Sequence, residues 1–248
     1  MTDDDLEEIA ADFWAGTDLG DVFPRNIEQA LALKLPMTVV KLSVVTVRTI
    51  GHWLRQHHRW PTFPSYRRDL MGCLYADGGQ GFIFVCGADA TEEQRFTIAH
   101  DAAHFLADYW LPRLRILDAL GPSVADVLDG RRLPQPQERV AAILEGVRLG
   151  PYWHLLPRSG AHVNDDERIA SVEDRADELG LELVAPRRRV LQLMHDLAGK
   201  RLADANGLGD ILGLTFGLPP YVFASLVDEE WRPRVPSFLE DLRRSLRR

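Results

Sequence analysis

The sequence predicts an α+β fold built on a small antiparallel sheet, and three observations carry that prediction. A run rich in β-branched residues, MTVVKL, is followed by two apolar runs, LMGCLYA and GFIFVC, separated only by Asp77, Gly78, Gly79 and Gln80. Paired glycines supply the positive φ angles of a tight reversal, so the two runs read as a hairpin. From Thr91 onward, apolar residues recur mainly at helical spacing with helix start and stop residues between them.

Along the chain, NIEQALALKL reads as a short helix limited by Pro36, and MTVVKL as a strand. SVVTVRTIGHWLRQHH is ambiguous, because its start favours strand while Val47, Ile50, Trp53 and Leu54 recur at helical spacing. WPTFPSYR is a loop before the hairpin. Thr91 and Gln94 fit a capping box opening a helix that runs to about Tyr109, ahead of Pro112. A further helix starts at Pro136, with Val140, Ile143, Leu144 and Val147 on one side and Gly150 at its end. Ser171 with Asp174 caps SVEDRADELGLELVA, stopped by Pro186, and RRRVLQLMHDLAG follows. GDILGLTFGLPPYVFASLVDEEW suggests two short helices broken at 217–220, which is ordinary core packing more readily than a DNA-reading helix pair.

Composition narrows the function classes. At 248 residues, 46% hydrophobic and 27% charged, the chain suits one large or two small globular domains. No apolar run reaches the length of a membrane helix, and the acidic start MTDDDLEEIA is the opposite of a secretory leader, so the expected location is cytoplasmic, with no membrane partner. Cys73 and Cys86 lie in apolar runs and read as core thiols. The net charge of -8 is local: residues 1–22 hold eight carboxylates and no Lys or Arg, leaving 29 acidic and 29 basic residues in the remainder. A balanced body with a basic RRSLRR end gives no general nucleic-acid face.

The sharpest chemical feature is HDAAH, where His100 and His104 stand one helical turn apart on one face and can grip a divalent ion. Asp101 stands where a glutamate acts as general base in H-E-x-x-H zinc hydrolases, with one methylene less reach. Such a pair is also compatible with two helical histidines meeting ordinary polar partners. A third ligand is offered by Glu173, and Asp177, four residues on, can accept the remaining ring N–H of a liganding histidine; both can equally be solvated acids. Asp108, four beyond His104, is placed to support that ligand or to sit in solvent. Tyr109, Tyr152, His154 and His162 are candidate oxyanion donors, and PYWHLLPRSG a candidate groove or partner surface.

Together these segments resemble the IrrE/ImmA family of zincin-like metallopeptidases. EQRFTIAHDAAHFLADY supplies the family's arginine, phenylalanine and alanine before the histidines, as Arg95, Phe96, Ala99, His100 and His104. EDRADELGLELVAP matches the downstream block. The resemblance covers about residues 24–228 and implies Glu173 as third ligand, Ala176 as a packing residue, Asp177 as the support of a ligand, Pro186 as the helix stop, and zinc, or another divalent ion such as manganese, as cofactor. Two features depart from the family: Asp101 replaces the glutamate, and Glu173 follows His104 by 69 residues, which implies an insertion at about 110–170.

The resemblance implies a zincin-like metallopeptidase fold with a metal-site helix pair and additional C-terminal helices. The expected division is an acidic segment at 1–23, the zincin-like domain at 24–199 and a helical extension at 200–248. It further implies an endopeptidase that cleaves a protein regulator, such as a helix-turn-helix repressor, in a stress-response or mobile-element programme, with Asp101 taking a proton from water. Two alternatives stand beside it: a metal-binding regulatory module without turnover, and a metal-free interaction domain.

Overall fold

The hairpin forms as its glycines require. Strands β2 (Leu70–Asp77) and β3 (Gln80–Cys86) are joined through Gly78 and Gly79, at φ +61° and +78°, a double left-handed turn that matches strand twist. Strand β1 (Met37–Leu42) lies on the other side of β3, and β4 (Tyr152–Pro157) pairs with β2. The order is β1-β3-β2-β4, and β1 runs parallel to β3, so the sheet is mixed rather than antiparallel. The tight hairpin gives β2 one side of β3, and β1, connected through helix α3 (Val47–Gln56), takes the other side in the same direction. The computed structural model describes residues 2–63, 66, 68–147, 149–158, 167–200, 205–224 and 227.

Both faces of the sheet are covered, which is why β2 and β3 are nearly continuous apolar runs. On one face Cys73, Tyr75, Phe84 and Cys86 pack with Val45, Ile50 and Leu54 of the α3 region, and both cysteines are free and buried. On the other, Leu74, Ala76, Ile83 and Val85 meet helix α4 (Thr91–His104) and helix α8 (Glu167–Val184). The same core takes in α1 (Asp3–Trp14) and α2 (Ile27–Lys34). The acidic N-terminal segment thus begins as a helix: Thr2 caps it, Leu6, Ala10, Phe13 and Trp14 are buried, and Trp14 Nε1 donates to the Leu183 carbonyl at 2.8 Å.

Three local expectations are revised. Helix α4 starts at Thr91 without a side-chain cap, because Gln94 Nε2 donates instead to the Asp89 carbonyl at 2.7 Å. Pro112 does not stop the helix: the chain passes through a π-helical segment, Phe105–Trp110, in which Leu111 N–H bonds the Leu106 carbonyl five residues back, into α5 (Leu111–Leu120), with Pro112 in its first turn. Helix α7 (Pro136–Leu144) buries Glu138 and Ala142 while Val140, Ile143 and Leu144 face outward. Its neighbours α5 and α6 (Ala125–Leu128) form a small separate core of Ile116, Val124, Val127, Leu128 and Ala142.

Beyond α8, helices α9 (Arg187–Lys200) and α10 (Ala205–Phe216) complete the main core, and a short 3-10 turn, Pro220–Phe223, follows Gly217. No helix among the described residues is long and apolar enough to cross a membrane. His162 and the RRSLRR end lie outside the described residues.

Candidate metal centre

The site is assembled where α4 is pinched between α8 and the sheet. A Cβ built on Gly180 of α8 would stand 3.1 Å from backbone atoms of Ala99 and His100, so a glycine there sets the helix–helix distance. On the other side, a Cβ on Gly72 of β2 would meet Thr97 Cγ2 at 2.3 Å and Asp101 Oδ2 at 2.9 Å. With Ala99, Ala102, Ala103 and Ala176 also buried, short carboxylates on α8 reach across to α4.

The structure brings His100, His104 and Glu173 together and adds His154 from β4. One ligand atom of each lies within 4.8 Å of those of the other three. Glu173 Oε2 is 3.5 Å from His100 Nε2 and 3.6 Å from His104 Nε2, while Glu173 Oε1 is 3.2 Å from His154 Nε2. Each imidazole is anchored through its other nitrogen by a separate aspartate: His100 Nδ1 to Asp177 at 2.7 Å, His104 Nδ1 to Asp108 at 2.8 Å, and His154 Nδ1 to Asp101 at 3.0 Å. An acceptor at Nδ1 keeps the proton there and turns the Nε2 lone pair inward.

Asp108 lies on the π-helical segment, and such turns inside helices are frequent at functional sites. Its carboxylate also accepts from Tyr152 Oη at 3.2 Å and from the Arg175 guanidinium. Tyr109, by contrast, accepts from the Gly79 N–H at 2.8 Å and so ties down the hairpin turn, away from the cluster.

These residues fit a divalent ion. His100 Nε2, His104 Nε2 and Glu173 Oε2 are buried with no hydrogen-bond partner, an arrangement that costs about 1–3 kcal/mol per atom unless something binds them. Atoms sharing a zinc at 2.0–2.1 Å stand roughly 3.3 Å apart around a tetrahedron, close to the three separations between Glu173 and the histidines. Four carboxylates (Asp101, Asp108, Glu173 and Asp177) against the single guanidinium of Arg175 make the network electronegative. Burial works against a charge on His100, yet its bond to Asp177 and the nearby Glu173 and Asp101 carboxylates outweigh it and raise its pKa to about 10. Burial likewise opposes charge on His154 and Glu173, but Asp101 and Glu173 raise the histidine, and the three imidazoles drive the glutamate far below the usual carboxylate range. With no ion bound, the same field collects protons.

His154, a candidate oxyanion donor by sequence, stands instead in the cluster, and Arg175, which the sequence does not single out, pairs with Asp108. The missed signal is the alternation of Tyr152, His154 and Leu156 between Pro151 and Pro157, a strand period hidden by its brevity. In general terms, a small sheet, a helix pair holding a His-His-Glu set and further C-terminal helices make a zincin-like arrangement. No family model matches the chain, and neither a curated protein nor a solved structure matches it significantly, so the centre rests on its own geometry.

Proposed function

We propose that this protein is a zinc-dependent endopeptidase of the IrrE/ImmA type, held together at its centre by His100, His104 and Glu173, and acting on a protein regulator such as a helix-turn-helix repressor. The observation that supports it above all is the convergence of three buried atoms without partners, two imidazole nitrogens and one carboxylate oxygen, from two helices packed at a glycine. A divalent ion bound there supplies Lewis acidity to a carbonyl oxygen and acidifies water. Asp177 and Asp108 fix the His100 and His104 rings by accepting their Nδ1 protons, and Arg175 balances Asp108. Asp101, the carboxylate nearest the helical ligands in sequence, is the residue to which proton transfer falls in this reading.

One observation favours a second reading, a metal-held regulatory module without turnover. Asp101 is fully buried, its Oδ1 is taken by His154 Nδ1, and its Oδ2 lies on the Gly72 side of α4. A carboxylate so engaged is poorly placed to accept a proton from water. Protein purified without metal-affinity resin should carry about one zinc per chain. Cleavage of repressor proteins that stops on chelation supports the peptidase, whereas stoichiometric zinc without cleavage of any of them supports the module. Failure to bind any divalent ion, even after addition, overturns both and leaves an interaction domain.

A further inference from the structure

We propose that Asp101 and His154 are a matched pair: the shortened side chain at 101 makes room for an imidazole from the sheet edge and holds it on the ion as a fourth protein ligand. The inference rests on the metal reading above and, because it closes the fourth position, favours the module without turnover over the peptidase.

The three histidines are alike in the feature that distinguishes a ligand from a neighbour. Every one has its Nδ1 on an aspartate and its Nε2 facing Glu173, at 3.5, 3.6 and 3.2 Å. The carboxylate–imidazole–metal pattern is the usual way a protein fixes a ligating ring. His154 comes from β4, where it pairs with Leu74 of β2, and its ring stacks on that of His104 with centroids 3.9 Å apart. It is nearly as enclosed as the helical pair, with 11% of its side chain exposed.

Asp101 meets the cluster through His154. Its Oδ1 is the acceptor of the ring N–H, while its buried, unpartnered Oδ2 lies on the side of Gly72, where a Cβ would stand 2.9 Å away. A glutamate at 101 extends the carboxylate by one carbon–carbon bond, about 1.5 Å. Since Oδ1 already stands 3.0 Å from His154 Nδ1, that extension enters the space the ring occupies. The aspartate and the histidine therefore go together: with Asp101 the centre is closed by four protein ligands, and with a glutamate it is left with three and an open position.

Cobalt-substituted protein tests this without reference to activity, because visible absorption reports the number and type of ligands. The wild type should give the intense spectrum of a four-coordinate site, unchanged by added azide. His154→Gly should bind cobalt more weakly, change the spectrum, and regain the wild-type spectrum with free imidazole. Asp101→Ala should lower affinity about 10- to 100-fold, as loss of a ring-anchoring carboxylate does. Asp101→Glu should give a spectrum that responds to azide, as His154→Gly does. Far-ultraviolet circular dichroism checks that each variant is folded, and His154→Gln serves in place of a misfolded glycine variant. If His154→Gly or His154→Gln keeps the wild-type spectrum and affinity while His104→Ala loses cobalt, the matched pair is overturned and the metal reading survives. If the wild type binds no cobalt, both fall.

Discussion

The centre has two walls built by different means. The helix wall takes His100 and His104 from one face of α4 and Glu173 and Asp177 from one face of α8, and its spacing follows from helical geometry alone. The strand wall takes His154 from the edge of the sheet, about fifty residues after HDAAH, and meets α4 through the Asp101 hydrogen bond and the stacking of His154 on His104. Each wall closes on α4 at a glycine, Gly180 on the helix side and Gly72 on the sheet side. The helix wall thus spaces its ligands by local periodicity, whereas the strand wall depends on long-range strand pairing and on the contacts of Tyr152 and His154.

Removal of a helix-wall ligand should have the largest effect. His104→Ala should lower zinc from about one per chain to background in elemental analysis, since three remaining groups with one misplaced carboxylate no longer make a site. It should also abolish the thermal stabilisation that added zinc gives the wild type, about 2.7 kcal/mol at a hundredfold excess over the dissociation constant. Retention of stoichiometric zinc would place the site elsewhere.

The sheet side is broken next most severely at Gly72. An alanine there puts a methyl 2.3 Å from Thr97 Cγ2 and 2.9 Å from Asp101 Oδ2, both buried, so the side chains or the strand must shift. Gly72→Ala should cost about 1–3 kcal/mol in chemical denaturation, the usual range for overpacking. Adding Thr97→Ser deletes the closer clashing carbon and should recover part of that loss. A double variant no more stable than Gly72→Ala would show that Thr97 is not the obstruction.

The sequence reveals the two walls unequally. The pairs His100 and His104, His104 and Asp108, and Glu173 and Asp177 are readable because i and i+4 positions share a helix face, whereas the approach of α8 to α4 is set by packing at Gly180. The hairpin was readable because two glycines have few other uses between apolar runs. The parallel placement of β1, the strand at 152–157 and the outward face of α7 were not, because each is decided by what packs against it. The apolar period of Val140, Ile143 and Leu144 correctly marked a helix but pointed to a buried face, and the structure buries Ala142 and Glu138 instead.

A smaller effect comes from protons competing with the ion. In metal-free protein the carboxylates around His100 raise its pKa from the ordinary imidazole value of 6.5 to about 10, so its charged form is favoured by folding. The sign follows: that stabilisation is fully present below about pH 6.5 and is lost as pH rises towards 10. Zinc must displace this proton, so apparent zinc affinity should rise over the same interval. Denaturation of chelator-treated protein across pH should therefore show declining stability from this group, and zinc titrations the opposite slope. A zinc affinity that does not change between pH 6.5 and 9 would mean that no proton is displaced.

The smallest effect is expected at the other glycine, and its smallness sharpens the contrast between the walls. Gly180 is helical, and a Cβ there would meet the Ala99 and His100 backbone at 3.1 Å, a tight contact but a less severe one than at Gly72. Alanine in a helix interior is worth about 1 kcal/mol over glycine, which offsets a separation of α4 and α8 by a few tenths of an ångström. Gly180→Ala should therefore change unfolding stability by less than about 1 kcal/mol in either direction. Zinc affinity should fall more visibly than stability, because Glu173 and Asp177 ride on the displaced helix while the propensity gain does nothing for their reach. Gly72→Ala should move stability and affinity together, since its clash falls on Thr97 and Asp101 at once. Equal behaviour of the two variants in both measurements would mean that the walls are not separate supports of the centre.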